Sequence, residues 1–300
     1  MSGNEEIGNV EERYDVMGLF DDGGQGDLYV GRDRRTGEKV AVKTQKPWRM
    51  GPGEFFREAG DELTQEGSLM LNLGGIDGIP EIMAVGRYKG RRCLVMEFIE
   101  GRQLGVAVME RRPVKDPGVV ASVIGQLCEI LHEVHEKKLV HCDLKPENVI
   151  VEPNGRLRLL DVGHAVWMGE ATCREHGTFG YAAPEQWDAN SHGLTRRADI
   201  FGLGCILLEM TVMRLPYGGL EERVSCGFPV LPPDRLAVVP SEFRDLALQM
   251  VAWHAEDRPA DVREVFERIR PYLPAPGSRR PSKPLKPDTT EYYRTCPPRL

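Results

Sequence analysis

Between Leu139 and Asp161 the chain reads L-V-H-C-D-L-K-P-E-N-V-I-V-E-P-N-G-R-L-R-L-L-D, and this stretch limits its possible folds more tightly than any other. It holds a carboxylate at Asp143, an ammonium at Lys145, a carboxamide at Asn148 and a second carboxylate at Asp161. Apolar runs flank these groups: Leu139 and Val140, Val149 to Val151, and Leu157, Leu159 and Leu160. Such runs predict short buried strands that leave the polar residues on connecting loops, where site chemistry concentrates. Two carboxylates, an amide oxygen and a cation are the groups that set Mg²⁺ and a polyphosphate beside a hydroxyl nucleophile.

Composition narrows the class. A chain of 300 residues with 41% hydrophobic and 28% charged residues fits a two-lobed globular unit with a tail. A formal charge of -7 argues against a nucleic-acid partner, which calls for a basic excess. The start, M-S-G-N-E-E-I-G-N-V-E-E, lacks a basic n-region and an apolar h-region, so it is not a signal peptide. The most apolar stretch, Ile200 to Val212, contains Glu209 and is too short to span a bilayer. The 7 cysteines include no C-x-x-C pair, which points to reduced, buried thiols and a cytoplasmic protein.

H-C-D-L-K-P-E-N resembles the H-R-D-L-x-x-x-N catalytic loop of the eukaryotic-type (Hanks-type) protein kinases, with Cys142 where that family has arginine. D-V-G at Asp161 to Gly163 is similar to D-F-G, and A-P-E at Ala183 to Glu185 to the end of the activation segment. The style of G-T-F-G-Y-A-A-P-E-Q resembles bacterial members. The resemblance runs from Tyr14 to Leu273 and implies an α+β, bilobal protein-kinase fold. Its N-lobe, residues 14–96, would hold a five-stranded antiparallel sheet and one helix; a hinge at 97–101 would lead to a mainly α-helical C-lobe, 102–273. Outside it lie an acidic lead-in, 1–13, and a Pro-rich basic tail, 274–300. Both are predicted to be flexible, the tail serving as a docking segment, an autophosphorylation site or an inert linker.

The N-terminal half supports the same fold. Val16, Leu19, Phe20, Leu28, Val30, Val40 and Val42 fall in runs separated by D-D-G-G-Q-G and D-R-R-T-G-E-K, which predicts three antiparallel strands. Gly23, Gly24 and Gly26 would let backbone amides approach phosphate oxygens, although three glycines equally describe a hairpin turn. V-A-V-K at Val40 to Lys43 decides between them, because it follows at the family's spacing. By resemblance Lys43 meets the α- and β-phosphates, Ala41 packs on the adenine, and Phe20 and Leu28 cover the nucleotide. Met96 would back its pocket, and main-chain groups of Glu97 and Ile99 would pair with the adenine edge. Glu54, Glu58, Glu62 and Glu66 stand four apart, on one helical face. The resemblance implies that a glutamate on the next helix orients Lys43, and Glu66 is taken for it, since Leu69, Met70 and Leu73 follow it with a core-facing period.

The resemblance then implies an ATP-dependent enzyme using Mg²⁺, or Mn²⁺ in its place, that phosphorylates protein substrates. Asp143 would orient or accept the hydroxyl proton, Lys145 would neutralise the transferring phosphoryl group, and Asn148 and Asp161 would hold the metal. K-P-E-N and Thr178 resemble the serine/threonine class. His141 would prop the catalytic loop, Asp199 would either accept its amides or cap a helix, and Arg258 would pair with Glu185. Three departures bear on activity: Asp21 replaces the first loop glycine, Cys142 removes the arginine that binds a phosphorylated activation loop, and Val162 replaces the D-F-G phenylalanine. They keep open a second reading, a pseudokinase-like nucleotide-binding regulatory module. A third, a kinase-like small-molecule phosphotransferase, would share H-x-D but not A-P-E followed by D-x-F-G-x-G and D-R-P.

Overall fold

The computed structural model describes residues 5–21, 26–45, 61–110, 112–170, 177–188, 193–218, 227, 229, 231, 233–237, 239–280 and 285–300. The chain forms two compact units, one of residues 1–75 and 79–99, the other of residues 76–78 and 100–300. The division falls between Ile99 and Glu100, inside the stretch read as a hinge.

The first unit contains β1 (Glu5–Glu6), β2 (Tyr14–Asp21), β3 (Gly26–Asp33), β4 (Lys39–Gln45), α1 (Asp61–Leu73), β5 (Ile82–Tyr88) and β6 (Arg91–Glu97). β2 to β6 are the five expected antiparallel strands, in the order β5-β6-β4-β3-β2. Side chains alternate across a strand, so Val40, Val42, Cys93 and Val95 join Ala84, Tyr14 and Tyr88 in the core beneath the sheet. Ala41 and Lys43 therefore take the opposite face, with their cross-strand partners Met96 and Leu28. The lead-in departs from expectation. β1 pairs in parallel with β5, the Ile7 amide donates to the Val85 carbonyl at 2.9 Å, and Val10 is buried with Tyr14. The physical cause is the edge of β5, whose unpaired backbone groups take up any strand that brings its own apolar anchors. Ile7 and Val10 are those anchors, inconspicuous among acidic neighbours.

The second unit contains β7 (Arg102–Gln103), α2 (Leu104–Ala107), α3 (Pro117–Glu136), β8 (Leu139–Val140), β9 (Val149–Val151), β10 (Leu157–Leu159), β11 (Val166–Trp167), α4 (Arg196–Val212), α5 (Pro233–Leu236), α6 (Ser241–Met250), α7 (Val262–Ile269) and α8 (Glu291–Thr295). Asp116 caps α3 by accepting the Gly118 amide at 2.8 Å, with Pro117 opening the first turn. Thr195 caps α4. β8 pairs with β11, and β9 lies between β7 and β10, so the polar run from His141 to Asn148 is a loop held at both ends by short ladders. Among the described residues, no helix is long and apolar enough to cross a membrane.

The tail also departs from expectation. Residues 285–300 pack on the second unit: Tyr293 is fully buried, and Gln126 on α3 donates to the carbonyl of Thr289 at 3.3 Å. Arg299 donates from its amide to Glu129 Oε1 at 2.8 Å and from Nε to Oε2 at 3.2 Å. Proline content and basic charge suggest an extended chain, but the pair Tyr292 and Tyr293 supplies apolar area, and a buried acid on α3 supplies the counter-charge.

Candidate active site

Lys43 lies on β4 opposite Leu28 and Leu94, and its Nζ donates to Glu66 Oε1 at 2.7 Å. Glu66 is buried on α1 beside Leu63, Met70 and Leu73, which stand three before, four after and seven after it. Glu54 and Glu58, and the side chain of Glu62, lie outside the described residues. So do Gly23 and Gly24. Gly26 is described, and its bareness has a local cause: a Cβ there would stand 2.3 Å from the carbonyl oxygen of Thr44 on the neighbouring strand. Leu28, Ala41 and Met96 share the sheet face of Lys43. Phe20 is exposed and meets Phe98 edge-on, with ring centroids 6.1 Å apart. The Glu97 amide, expected at the adenine edge, donates instead to the Glu81 carbonyl at 2.8 Å. Ile99 follows the end of β6.

In the second unit Asp143, Lys145, Asn148 and Thr178 converge. Lys145 Nζ donates to Thr178 Oγ1 at 2.6 Å and lies 3.0 Å from Asp143 Oδ2. The Thr178 hydroxyl donates to Asp143 Oδ1 at 2.6 Å. Asn148 Nδ2 donates to Asp143 Oδ2 at 2.9 Å and to the Asp143 carbonyl at 2.8 Å. Burial pushes the Asp143 carboxyl upward, but the charge of Lys145 and the Thr178 hydroxyl outweigh it and hold the carboxyl below its ordinary value. The group is thus ionised at neutral pH: a fixed acceptor and orienter rather than a strong base.

Asp161 reaches the same loop through its neighbour. The Leu160 amide donates to the Asn148 carbonyl at 2.7 Å, and His141 Nε2 donates to the Leu160 carbonyl at 3.1 Å. Asp161 itself adopts the left-handed backbone region with φ 55°, uncommon without glycine, and accepts the Gly163 amide at 3.1 Å.

Asp199, on the first turn of α4, accepts the His141 amide at 2.8 Å, the Cys142 amide at 2.8 Å and His135 Nε2 at 2.9 Å. Since Thr195 caps α4, Asp199 is a catalytic-loop acceptor rather than a cap. Arg258 makes a bidentate pair with Glu185 at 2.7 and 2.9 Å, and also donates to the carbonyls of Ala252, Arg197 and Trp253. Burial, followed by the charges of Asp199 and Asp143, pushes the Cys142 thiol well up, so it stays protonated, in keeping with the reduced, buried thiol expected from the sequence. One contributor left no sequence signal of its own. Gln186, directly after A-P-E, donates from Nε2 to the Cys142 carbonyl at 2.7 Å.

The donor set suits a hard cation. Both Asn148 Nδ2 bonds go to Asp143, and an amide oxygen such as that of Asn148 and a carboxylate such as that of Asp161 are the kinds of oxygen donor that Mg²⁺ takes together with phosphate oxygens and water. Among the described residues, no group of three His, Cys, Asp or Glu side chains gathers into a self-sufficient metal site.

Residues 14–268 match the protein kinase domain family. The chain is similar to the serine/threonine-protein kinase PrkC of Bacillus subtilis, 26% identical over 278 residues, which covers 87% of this chain and 42% of that protein. It is 31% identical over 254 residues to the serine/threonine-protein kinase Pkn1 of Myxococcus xanthus, covering 80% of this chain and 35% of the relative. It is 25% identical over 282 residues to a probable serine/threonine-protein kinase PknB of Lactococcus lactis, covering 88% and 43%. The chain therefore spans less than half the length of these relatives. A family match over most of the chain, on a fold with an ion-paired β4 lysine and with the carboxylate of Asp143, the ammonium of Lys145 and the hydroxyl of Thr178 gathered together, establishes that the chain belongs to the protein kinase domain family.

Proposed function

We propose that this chain is a cytoplasmic serine/threonine protein kinase that moves the γ-phosphoryl group of ATP to Ser or Thr hydroxyls of protein substrates, with Mg²⁺ or Mn²⁺ as cofactor. The observation that carries the reading is the alcohol of Thr178, held at 2.6 Å by both Asp143 and Lys145. Those two groups make a seat for a hydroxyl, with a proton acceptor on one side and a cation on the other. The bond formed joins the acceptor oxygen to the γ-phosphorus, the bond broken is that to the β,γ-bridging oxygen, and ADP leaves. Asp143 aligns the hydroxyl and takes its proton, while Lys145 offsets charge on the transferring group; a loose transition state asks for positioning more than for base strength. The divalent ion, when bound by Asn148 and Asp161, supplies charge neutralisation at the phosphates. Glu66 acts through Lys43, holding its ammonium ready for the α- and β-phosphates. Leu28, Ala41 and Met96 offer an apolar face to the base, with Phe20 at its edge. The serine/threonine class rests on K-P-E-N, on Thr178 and on the similarity to relatives that carry that name. The cytoplasmic placement is supported by free, buried thiols at Cys93, Cys128, Cys142 and Cys205.

The test is incubation with labelled ATP and Mg²⁺ in the presence of a generic basic protein, beside Asp143→Ala. Label on phosphoserine and phosphothreonine that vanishes in the variant is the expected result. Nucleotide binding without transfer would make the chain a regulatory module. Label confined to phosphotyrosine or to a small molecule would assign it another activity.

A further inference from the structure

The peptide units that lead into Asp143 are held one after another by side chains. Asp199 takes the amides of His141 and Cys142, each at 2.8 Å. The next unit joins Cys142 to Asp143. Its carbonyl accepts from Gln186 Nε2 at 2.7 Å, and its N–H donates to His141 Nδ1 at 3.3 Å. A peptide unit is planar, so pinning both of its edges fixes the axis about which the Asp143 side chain is presented. Such restraint is needed: Cys142 sits at φ 65°, a region that costs a residue with a side chain on the order of 1 kcal/mol or more and persists only when the surroundings over-determine it.

Gln186 is also tied to the other side of the site. Its Oε1 accepts the Ala183 amide at 2.9 Å, and Ala182 and Tyr181 bond back to the Thr178 carbonyl at 2.9 and 3.1 Å. Gly177 closes the junction. Its φ is +95°, and a Cβ there would lie 2.6 Å from the Cys142 carbonyl oxygen and 2.8 Å from Gln186 Nε2. One buried carboxamide thus joins the plane that aims Asp143 to the segment that carries Thr178. Cys142 offers a thiol in place of a guanidinium, so no arginine at this position is available to order the segment through a phosphate.

We propose that Gln186 is a positioning residue for phosphoryl transfer, locking the Cys142–Asp143 peptide to the Thr178 segment by donating to one and accepting from the other. The inference rests on the phosphotransfer reading above. The competing role is that of a helix cap alone, since Gln186 closes the start of the short helical turn Pro184–Trp187. Gln186→Glu separates the two: it keeps the acceptor for Ala183 and loses the donor to Cys142, setting a carboxylate against a carbonyl oxygen.

The expected result is a kcat lower on the order of tenfold to a hundredfold, with KM for ATP changed by no more than about twofold. The ratio of variant to wild-type kcat should rise as pH falls, because a protonated carboxyl regains the donor. A cap alone predicts an unchanged kcat per folded molecule and a flat ratio, and either outcome overturns the proposal. Amide hydrogen exchange on wild type, Gln186→Glu and Gln186→Leu supplies a readout that needs no turnover. Faster exchange in 139–145 and 177–183 together is expected, and unchanged exchange in either segment overturns the proposal. If wild type transfers no phosphate while exchange behaves as expected, the activity reading fails and the lock stands.

Discussion

At the scale of single residues, the candidate site holds in place charges that the surrounding protein has already shifted. Asp143 is buried, yet Lys145 and Thr178 keep its carboxyl below the ordinary value of 3.8. A depressed carboxyl stays charged until the pH falls through that lowered value, so Asp143 contributes no titration step to the activity near neutrality. The pH–rate profile should be flat on its account above about pH 5 and fall only in stronger acid. Asp143→Asn keeps the size, removes the charge and should lower kcat on the order of 10²- to 10⁴-fold with KM for ATP nearly unchanged. A rise in that KM comparable to the loss in kcat would instead place Asp143 in nucleotide binding. These residues were legible in the sequence because phosphoryl transfer demands particular functional groups at particular intervals along H-x-D-x-K-x-x-x-N. Gln186 was not, because its contribution is a bond to a backbone carbonyl, which any residue could supply.

Helices and strands were legible where periodicity and caps agreed, as at α3 and β4, and the glutamate of α1 that meets Lys43 could be chosen by counting turns. Asp199 was ambiguous, since a carboxylate in a first helical turn suits a cap as well as a neighbouring loop, and only the presence of Thr195 removes the first option. Burial pushes the Asp199 carboxyl up, but the bonds from His135 and the His141 amide hold it down. Its stabilising contribution is then complete above the unfolded value of 3.8 and is lost as pH falls through the lower folded value. Asp199→Asn leaves its amide N–H groups facing donors and should cost on the order of 3–5 kcal/mol in urea unfolding near neutral pH, with less acid sensitivity thereafter. On α3, Gly125 stands where alanine would favour a helix by about 1 kcal/mol. A Cβ there would lie 2.8 Å from the Tyr293 hydroxyl oxygen, so Gly125→Ala should destabilise instead. In a Tyr293→Phe background the obstructing atom is gone and the penalty should shrink or reverse, a coupling of about 1 kcal/mol in a double-mutant cycle. Additive effects would mean that α8 does not seat against α3 there.

For the whole chain, composition misjudged both ends because averages over a segment hide its few anchoring residues. Ile7 and Val10 dock the lead-in, and Tyr292, Tyr293 and Arg299 dock the tail. Docking must repay the ordering of the tail, at roughly 1–2 kcal/mol for each backbone residue, so its net worth is far smaller than the sum of its contacts. That sets a ceiling. Tyr293→Ala would cost about 3–5 kcal/mol if the tail were obliged to stay, but a weakened tail can detach, and the chain then behaves as though residues 285–300 were absent. The loss from Tyr293→Ala therefore cannot exceed the loss from deleting 285–300. Of the four tryptophans, Trp167, Trp187 and Trp253 stand in the second unit, so in a Trp48→Phe background tryptophan fluorescence follows the melting of the body that the tail covers. Both changes should lower its midpoint, on the order of 5–15 °C at about 2–4 °C per kcal/mol, with deletion lower than or equal to Tyr293→Ala. A deletion that left the midpoint in place would return residues 285–300 to the role of a linker, and a Tyr293→Ala midpoint below that of the deletion would mean that Tyr293 stabilises the fold by some route other than docking.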